Sequence, residues 1–286
     1  MSARGPAFFD LDMVDAALAG TQFAGRLYHL SSTGSTSALA IEAAQHGAAT
    51  GVWIADEQTA GRGRSGHTWH SPAGDGLYMS ALFRPRLFGV DALKLSLAAG
   101  LAAKAAVIQT VDLVAEQVDL RWPNDLMVSA AEHSQGGLSR KFGGVLTESA
   151  MDGGDGALAY AVIGIGMNLN HRSFPDKLRD IATSLRLASG ETVSRERLLT
   201  ALLRELESEI ALVESEGLGT RTPHREPVTL RFERGSTWVR GVRVHVAEDD
   251  GYTGVTEGLD PHGLLRVRIG DGSMRVVRHG GVRRAT

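Results

Sequence analysis

"GRGRSG", residues 61–66, fits the G-x-G-x-x-G pattern of dinucleotide-binding folds through Gly61, Gly63 and Gly66. That pattern binds a pyrophosphate only where a strand enters the glycines and a helix leaves them, because the helix N-terminus receives the phosphate charge. The entering strand is there, in "GVWIADEQ" (51–58). The exit is not helical: "HTWHSPAGDG" (67–76) puts Pro72, Gly74 and Gly76 into the required first turns, where both residue types are costly. Further on, where a ribose needs a carboxylate, the chain reads "YMSALFRPR" with no Asp or Glu. The doubly wound fold is therefore rejected. What remains is a glycine-rich loop whose Arg62 and Arg64 are cationic forks suited to carboxylate or phosphate oxygens. Taken alone, it fits an anion clamp and a solvated surface turn equally well.

The 286 residues are 43% hydrophobic and 22% charged with a net charge of -3, an ordinary globular balance that gives no reason to expect nucleic acid as a main partner. The absence of cysteine excludes thiol nucleophiles, disulfides and zinc-thiolate sites. Asp10, Asp12 and Asp15 interrupt the apolar residues of the first twenty positions, and no 18-residue apolar run follows. Neither a signal peptide nor a membrane span is expected, and the cytoplasm is the default location. Of 30 basic residues only Lys94, Lys104, Lys141 and Lys177 are lysine. In so arginine-rich a chain, each lysine marks a place where an amine is needed.

"STSALAIEAAQHG" (35–47) has helix caps at Ser35 or Thr36 and a stop at Gly47. A mostly apolar helix is predicted over 91–110, and another over 194–215 with Leu199, Leu202, Leu203, Leu206, Ile210 and Val213 on one face. Strands are predicted at 52–58, 77–83, 118–122, 142–149 and 158–166, with short connections that suit antiparallel pairing. The turn-rich "GLGTRTPHREP" (217–227) divides the chain into domains at 1–220 and 228–286. In the second, Val242, Val244 and Val246 alternate with Arg243 and His245, so a small all-β domain is expected. Its ten arginines against seven carboxylates read as the solvated face of half-buried strands. Phe232, Trp238 and Tyr252 form no recognisable stacking cluster for RNA.

Four segments in the first 170 residues put polar groups at strand ends beside the arginine loop. "STGSTS" offers Ser35 and Thr36. "DEQTAGRGRSGHTW" offers Gln58, the arginines and Trp69. "RWPND" offers Arg121, Asn124 and Asp125, "SRKFGG" offers Lys141 and Gly144, and "GIGMNLN" offers Asn168. Singly, Ser35 and Thr36 read as caps, Trp69 as core and Asn168 as a turn former.

In this order the segments resemble the catalytic core of biotin protein ligases, whose blocks read approximately GSTN, Q-x-A-G-R-G-R-x-G-x-x-W, KWPND, GKLAGIL and GIGxN. The second and third blocks are the specific ones. The resemblance implies an α+β fold of the class II synthetase type, a mixed sheet with flanking helices, followed by a small C-terminal SH3-like β-barrel. It implies that ATP and biotin give biotinyl-5′-AMP and pyrophosphate, and that a lysine of a biotin carboxyl carrier protein domain of a biotin-dependent carboxylase then takes the biotinyl group. By match to the motifs, Lys141, Arg62 and Arg64 are catalytic. Biotin would be held by Ser35, Thr36, Gln58, Gly61, Arg62, Arg64, Lys141 and Gly144. ATP would be held by Arg64, Trp69, Asn124, Asp125, Lys141 and Asn168, with Asp125 a ligand for Mg²⁺. Arg62 is expected at the heart of the clamp and Arg64 at its outer side. A lipoate protein ligase of the same fold is the alternative, disfavoured by the GRGR motif. Departures are Arg121 for the family's lysine, Phe142 for a leucine, and an extended 128–140 hairpin. With so few residues before Gly34 to hold a winged helix-turn-helix, a single-function ligase that does not bind DNA is expected.

Overall fold

In the computed structural model, which describes residues 9–129, 139–154, 156–218, 226–278 and 281–285, a seven-stranded sheet organises the first domain. Its strands are β1 (Leu27–Thr33), β2 (Gly51–Gln58), β3 (Gly76–Phe83), β4 (Val118–Arg121), β5 (Asp125–Val128), β6 (Arg140–Met151) and β7 (Leu158–Asn168), in the order β1-β2-β3-β7-β6-β5-β4. Only β1 and β2 are parallel, because helix α2 (Thr36–Gln45) returns the chain between them. The other neighbours are antiparallel, β4 to β5 and β6 to β7 through short connections and β3 to β7 at long range.

One face of the sheet carries the main core. Val52 and Ile54 of β2, Leu77 and Met79 of β3 and Ile163 and Ile165 of β7 meet helix α3 (Ala92–Thr110) and helix α5 (Arg195–Gly217) there. Ala98, Ala99, Ala102, Ala103 and Ala106 of α3 are buried, and such small side chains let α5 lie close. The leucine stripe of α5 is buried as its period predicts, from Leu198 to Val213. The opposite face is thinner: Trp53, Leu82 and Val162 pack on Ala40 and Ala44 of α2.

All five predicted strands and three predicted helices form, with ends shifted by a few residues, and the short helices α1 (Leu11–Ala17) and α4 (Leu185–Ser189) and the strand β5 form in addition. Strand β1 is not among the expected ones. It is a sheet edge carrying Tyr28, His29 and Ser31, half solvated on both faces, so it lacks the alternation by which strands are recognised. Most of the extended 128–140 hairpin and of the 217–227 joint lies outside the described residues.

Beyond the joint, residues 228–234 are helical, as α6 (Val228–Arg234), so the second domain is not all β. Buried Phe232 of α6 belongs to the common core. The strands β8 (Arg240–Val246), β9 (Tyr252–Leu259), β10 (Leu265–Ile269), β11 (Met274–Val277) and β12 (Val282–Arg284) follow, all antiparallel, in the order β11-β10-β9-β8-β12. Among the described pairings this is an open sheet, and none closes β11 onto β12 as the expected barrel would.

Candidate functional site

The antiparallel order brings the end of β1, the end of β2, the start of β3, the end of β7 and the starts of β5 and β6 to one end of the large sheet. A cavity of about 920 Å³ opens there. It is lined by Ser35, Thr36, Gln58, Arg62, Arg64, Trp69, Asn124, Asp125, Lys141, Gly144 and Asn168. Of the residues singled out in the sequence, Gly61 alone is not in the lining. It is buried beneath it, where a Cβ would stand 2.8 Å from both Ser71 Oγ and the Trp69 carbonyl oxygen. The loop folds back here, with Trp69 N–H donating to the Gly61 carbonyl at 2.9 Å.

At one end of the cavity the polar groups are uncharged. Ser35 caps α2, its Oγ accepting from Ala38 N–H at 3.4 Å. Gln58 Oε1 accepts from Thr36 N–H at 2.9 Å and lies 3.1 Å from Thr36 Oγ1, and Gln58 Nε2 donates to Ser71 Oγ at 3.3 Å. Capping and ligand binding are thus compatible: the residues at the start of α2 hold the helix and face the cavity together.

The other end is ionic. Lys141 Nζ lies 2.5 Å from Asp125 Oδ1, and Arg121 Nε donates to Asp125 Oδ2 at 2.9 Å. Burial would raise the Asp125 carboxyl, but Lys141 and Arg121 outweigh it and hold the group below its ordinary range. Asn124 Oδ1 accepts from Arg64 Nη1 at 3.4 Å, and its Nδ2 donates to the Val145 carbonyl at 2.8 Å. Asn168 is 5% exposed and donates to the Thr183 carbonyl at 3.1 Å. Among the described residues no cluster of three or more His, Asp or Glu could hold a metal by itself. Asp125 and Asn124 carry oxygens of the kind Mg²⁺ takes, and each oxygen is engaged by a cationic side chain, Asp125 by Lys141 and Arg121 and Asn124 by Arg64.

Between the two ends lies Trp69, with Lys141 Nζ 5.2 Å from its ring centre. Its seat depends on two glycines of neighbouring strands. A Cβ on Gly166 would meet Trp69 Nε1 at 2.5 Å, and one on Gly144 would stand 3.6 Å from Trp69 Cζ3 and 3.3 Å from Lys141 Nζ. Gly166 belongs to the "GIGMN" block, so its signal was in the sequence; what the sequence lacks is the register that places it opposite Gly144.

The structure corrects the expected order of the two arginines. Arg62 points outward, 46% exposed, and its Nη2 donates to both carboxylate oxygens of Glu148 at 2.8 Å. Arg64 points inward toward Asn124, and burial lowers its pKa against the pull of Asp125. No helix of regular length follows the loop. A single turn at Arg64–Gly66, with Ser65 at φ 54°, leads into extended backbone. Three other contributors were not anticipated. Ser37 and Ser80 lie behind Thr36; residues 174–182 form a wall beside Lys141; and Gly281–Arg283 reach the cavity from the second domain.

A family model described as the biotin/lipoate A/B protein ligase family matches residues 27–168. A biotin--[acetyl-CoA-carboxylase] ligase of Mycobacterium tuberculosis is 31% identical over 241 residues, spanning 83% of this chain and 81% of that one. A bifunctional ligase/repressor of Bacillus spizizenii is 32% identical over 247 residues, spanning 85% of this chain and 69% of its own length. In shape, the chain is similar to the biotin protein ligase of Aquifex aeolicus solved with biotin and ATP, with a TM-score of 0.71 at 25% identity, over 91% of this chain and 99% of that one. The motifs stand around one cavity, and relatives of this identity align over most of their own length. The chain belongs to the biotin protein ligases of the biotin/lipoate A/B protein ligase family.

Proposed function

We propose that the chain makes biotinyl-5′-AMP from biotin and ATP and transfers the biotinyl group to a lysine of a biotin carboxyl carrier domain, in the cavity at the end of its large sheet. The observation that carries this is the pairing of two unlike ends in one cavity with the Trp69 indole between them: a hydroxyl and amide pocket at Gln58, and a cationic end at Lys141, whose Nζ lies 5.2 Å from the indole ring centre. A molecule with a urea at one end and a carboxylate at the other matches both. In the first step a biotin carboxylate oxygen bonds to the α-phosphorus and pyrophosphate leaves. Two anions must approach, so fixed cations both hold them in line and stabilise the charge that develops. Lys141 and the inward Arg64 are placed for that work, and an ammonium can face a carboxylate and a phosphate together. Asn124, Asp125 and Asn168 would hold the nucleotide, and Mg²⁺, which shields the phosphate oxygens, would sit at Asp125 and Asn124. In the second step the amine of the acceptor lysine attacks the acyl carbon, an amide forms and AMP leaves. Relatives named for acetyl-CoA carboxylase support a carrier domain of that kind as the acceptor.

The test is pyrophosphate release with ATP, Mg²⁺ and each of biotin, lipoate and octanoate, followed by transfer to a purified carrier domain. Release should require biotin, and Lys141→Ala should lower it about 10²- to 10³-fold, the usual loss for one preorganised charge contact, with a lowered thermal midpoint but a melt that stays cooperative, since Arg121 still pairs with Asp125. Release with lipoate alone, or a Lys141→Ala rate within threefold of the parent, sinks the reading.

A further inference from the structure

Behind the uncharged end of the cavity lies a buried chain of three hydroxyls on two different elements. Ser37 Oγ is 3.0 Å from Ser80 Oγ, and Ser80 Oγ is 2.8 Å from Thr36 Oγ1. Thr36 Oγ1 in turn is 3.1 Å from Gln58 Oε1. Ser80 is fully buried and Ser37 is 6% exposed. A serine in the middle of a strand otherwise filled by Tyr78, Met79, Ala81 and Leu82 has no packing advantage over alanine, and a buried hydroxyl costs free energy unless it is bonded.

The direction of the protons along this chain follows from its far end. A backbone N–H can only donate, so the atom 2.9 Å from Thr36 N is the oxygen of the Gln58 amide. The NH₂ group then faces away, consistent with its donation to Ser71 Oγ, which itself donates to the Trp69 carbonyl at 3.2 Å. Thr36 Oγ1 faces an acceptor and gives its proton there. Its lone pairs take the proton of Ser80, whose lone pairs take that of Ser37. All three protons run toward Gln58. The second Nε2 hydrogen of Gln58 and the hydroxyl proton of Ser35, whose oxygen already accepts from Ala38 N–H, are left as donors at this end.

We propose that Ser80, backed by Ser37, is a specificity-determining residue. By donating to Thr36 Oγ1 it occupies the lone pairs that would otherwise accept from a ligand, so that this end of the cavity offers donors to a carbonyl oxygen, which selects a urea over an analogue that presents an N–H at the same place. This rests on the biotin ligase reading above and deepens it. Loss of Ser80 frees the Thr36 lone pairs to accept from a ligand N–H.

The measurement is kcat/KM for pyrophosphate release with biotin and with 2-iminobiotin, in which an imino group replaces the ureido oxygen, for the parent, Ser80→Ala, Ser80→Cys and Ser37→Ala. The parent should prefer biotin. In Ser80→Ala the preference should fall about 3- to 10-fold, the size of one neutral hydrogen bond, through KM rather than kcat. Ser80→Cys fills the space with a weak donor and should lose the preference too, while Ser37→Ala should lose less. Equal preference in all four proteins, at unchanged thermal midpoints, overturns the inference. So does full retention in Ser80→Cys, which would make the role one of packing. If Ser80→Ala does not fold, the Cys and Ser37 variants decide alone. A parent that releases no pyrophosphate with biotin refutes the ligase reading instead.

Discussion

Arg62 and Arg64 lie two residues apart yet face opposite ways, Arg62 on extended backbone before the single turn and Arg64 at the turn's first residue. Arg62 ties the loop to Glu148 on β6, and Arg64 enters the cavity beside Asn124. Their variants should therefore differ in kind. If Arg64 holds the adenylate as the proposed function has it, Arg64→Gly loses a charge-assisted contact worth roughly 1.5–3 kcal/mol and should release labelled biotinyl-5′-AMP about 10- to 100-fold faster, with biotin appearing on serum albumin lysines. Arg62→Gly loses an exposed ion pair of ~1 kcal/mol or less and should change release by less than fivefold. Equal release rates in rapid filtration would show that the two directions have no functional meaning. The Asp125 carboxyl gives a pH signature. Its pKa is lowered in the fold, because Lys141 and Arg121 overcome the effect of burial. Its stabilisation is thus complete above the unfolded carboxyl value of about 3.9 and is lost as the pH falls through the lower folded value. Asp125→Asn should lower stability by roughly 2 kcal/mol at neutral pH, and the gap to the parent should close in thermal melts below about pH 4. A gap that widens in acid contradicts the assignment.

At the level of elements, what could be read in advance was periodic or chemical, and what could not was set by register. The leucine stripe of α5 and the alternating valines of β8 repeat at the spacing of their structures, so both were legible. The lysine at 141 was legible through its motif, composition marking it only as one of four lysines. The arginine directions, the edge strand β1 and the helix α6 were not, since each depends on what lies across from it. The seat of Trp69 is of this second kind: Gly144 and Gly166 sit opposite each other on β6 and β7 and leave the sheet surface bare where the indole rests. Gly166→Ala would put a methyl group 2.5 Å from Trp69 Nε1, closer than any real contact, so the indole must move. Overpacking of this sort costs typically 1–3 kcal/mol, and biotin-dependent pyrophosphate release should fall about 10- to 100-fold. The same change made in a Trp69→Ala background should cost less than a further twofold. An equal loss in both backgrounds would mean that Gly166 acts on the ligand directly rather than through the tryptophan.

At the scale of the molecule, the second domain is not an appendage of the first. Trp122 Nε1 donates to the Gly263 carbonyl at 2.9 Å, and Thr237 N–H and Oγ1 donate to the two oxygens of Asp119 at 2.9 and 2.6 Å. These bonds fix Trp238 beside β4. Two arginines lie over its ring, Arg121 at 5.3 Å from the ring centre and Arg284 of β12 at 4.7 Å. The arginine that stands where the family has lysine acquires a reason here. A flat guanidinium stacks on an indole while its N–H groups hold a carboxylate, and Arg121 does both, meeting Trp238 on one side and Asp125 on the other. Asp125 in turn pairs with Lys141, so Trp238 is linked to Lys141 through Arg121 and Asp125. Trp238→Ala should free Arg121 and leave Asp125 to hold Lys141 less firmly. A cation–π contact of about 1 kcal/mol per arginine predicts roughly a fivefold fall in the adenylation rate. Trp238→Phe, which keeps a ring face for Arg121, should recover most of that rate. The readout is single-turnover formation of biotinyl-5′-AMP, which separates chemistry from release. If Trp238→Ala leaves the single-turnover rate unchanged while lowering only the thermal midpoint, the joint is a fastening between domains and the path from Trp238 to Lys141 carries no catalytic effect.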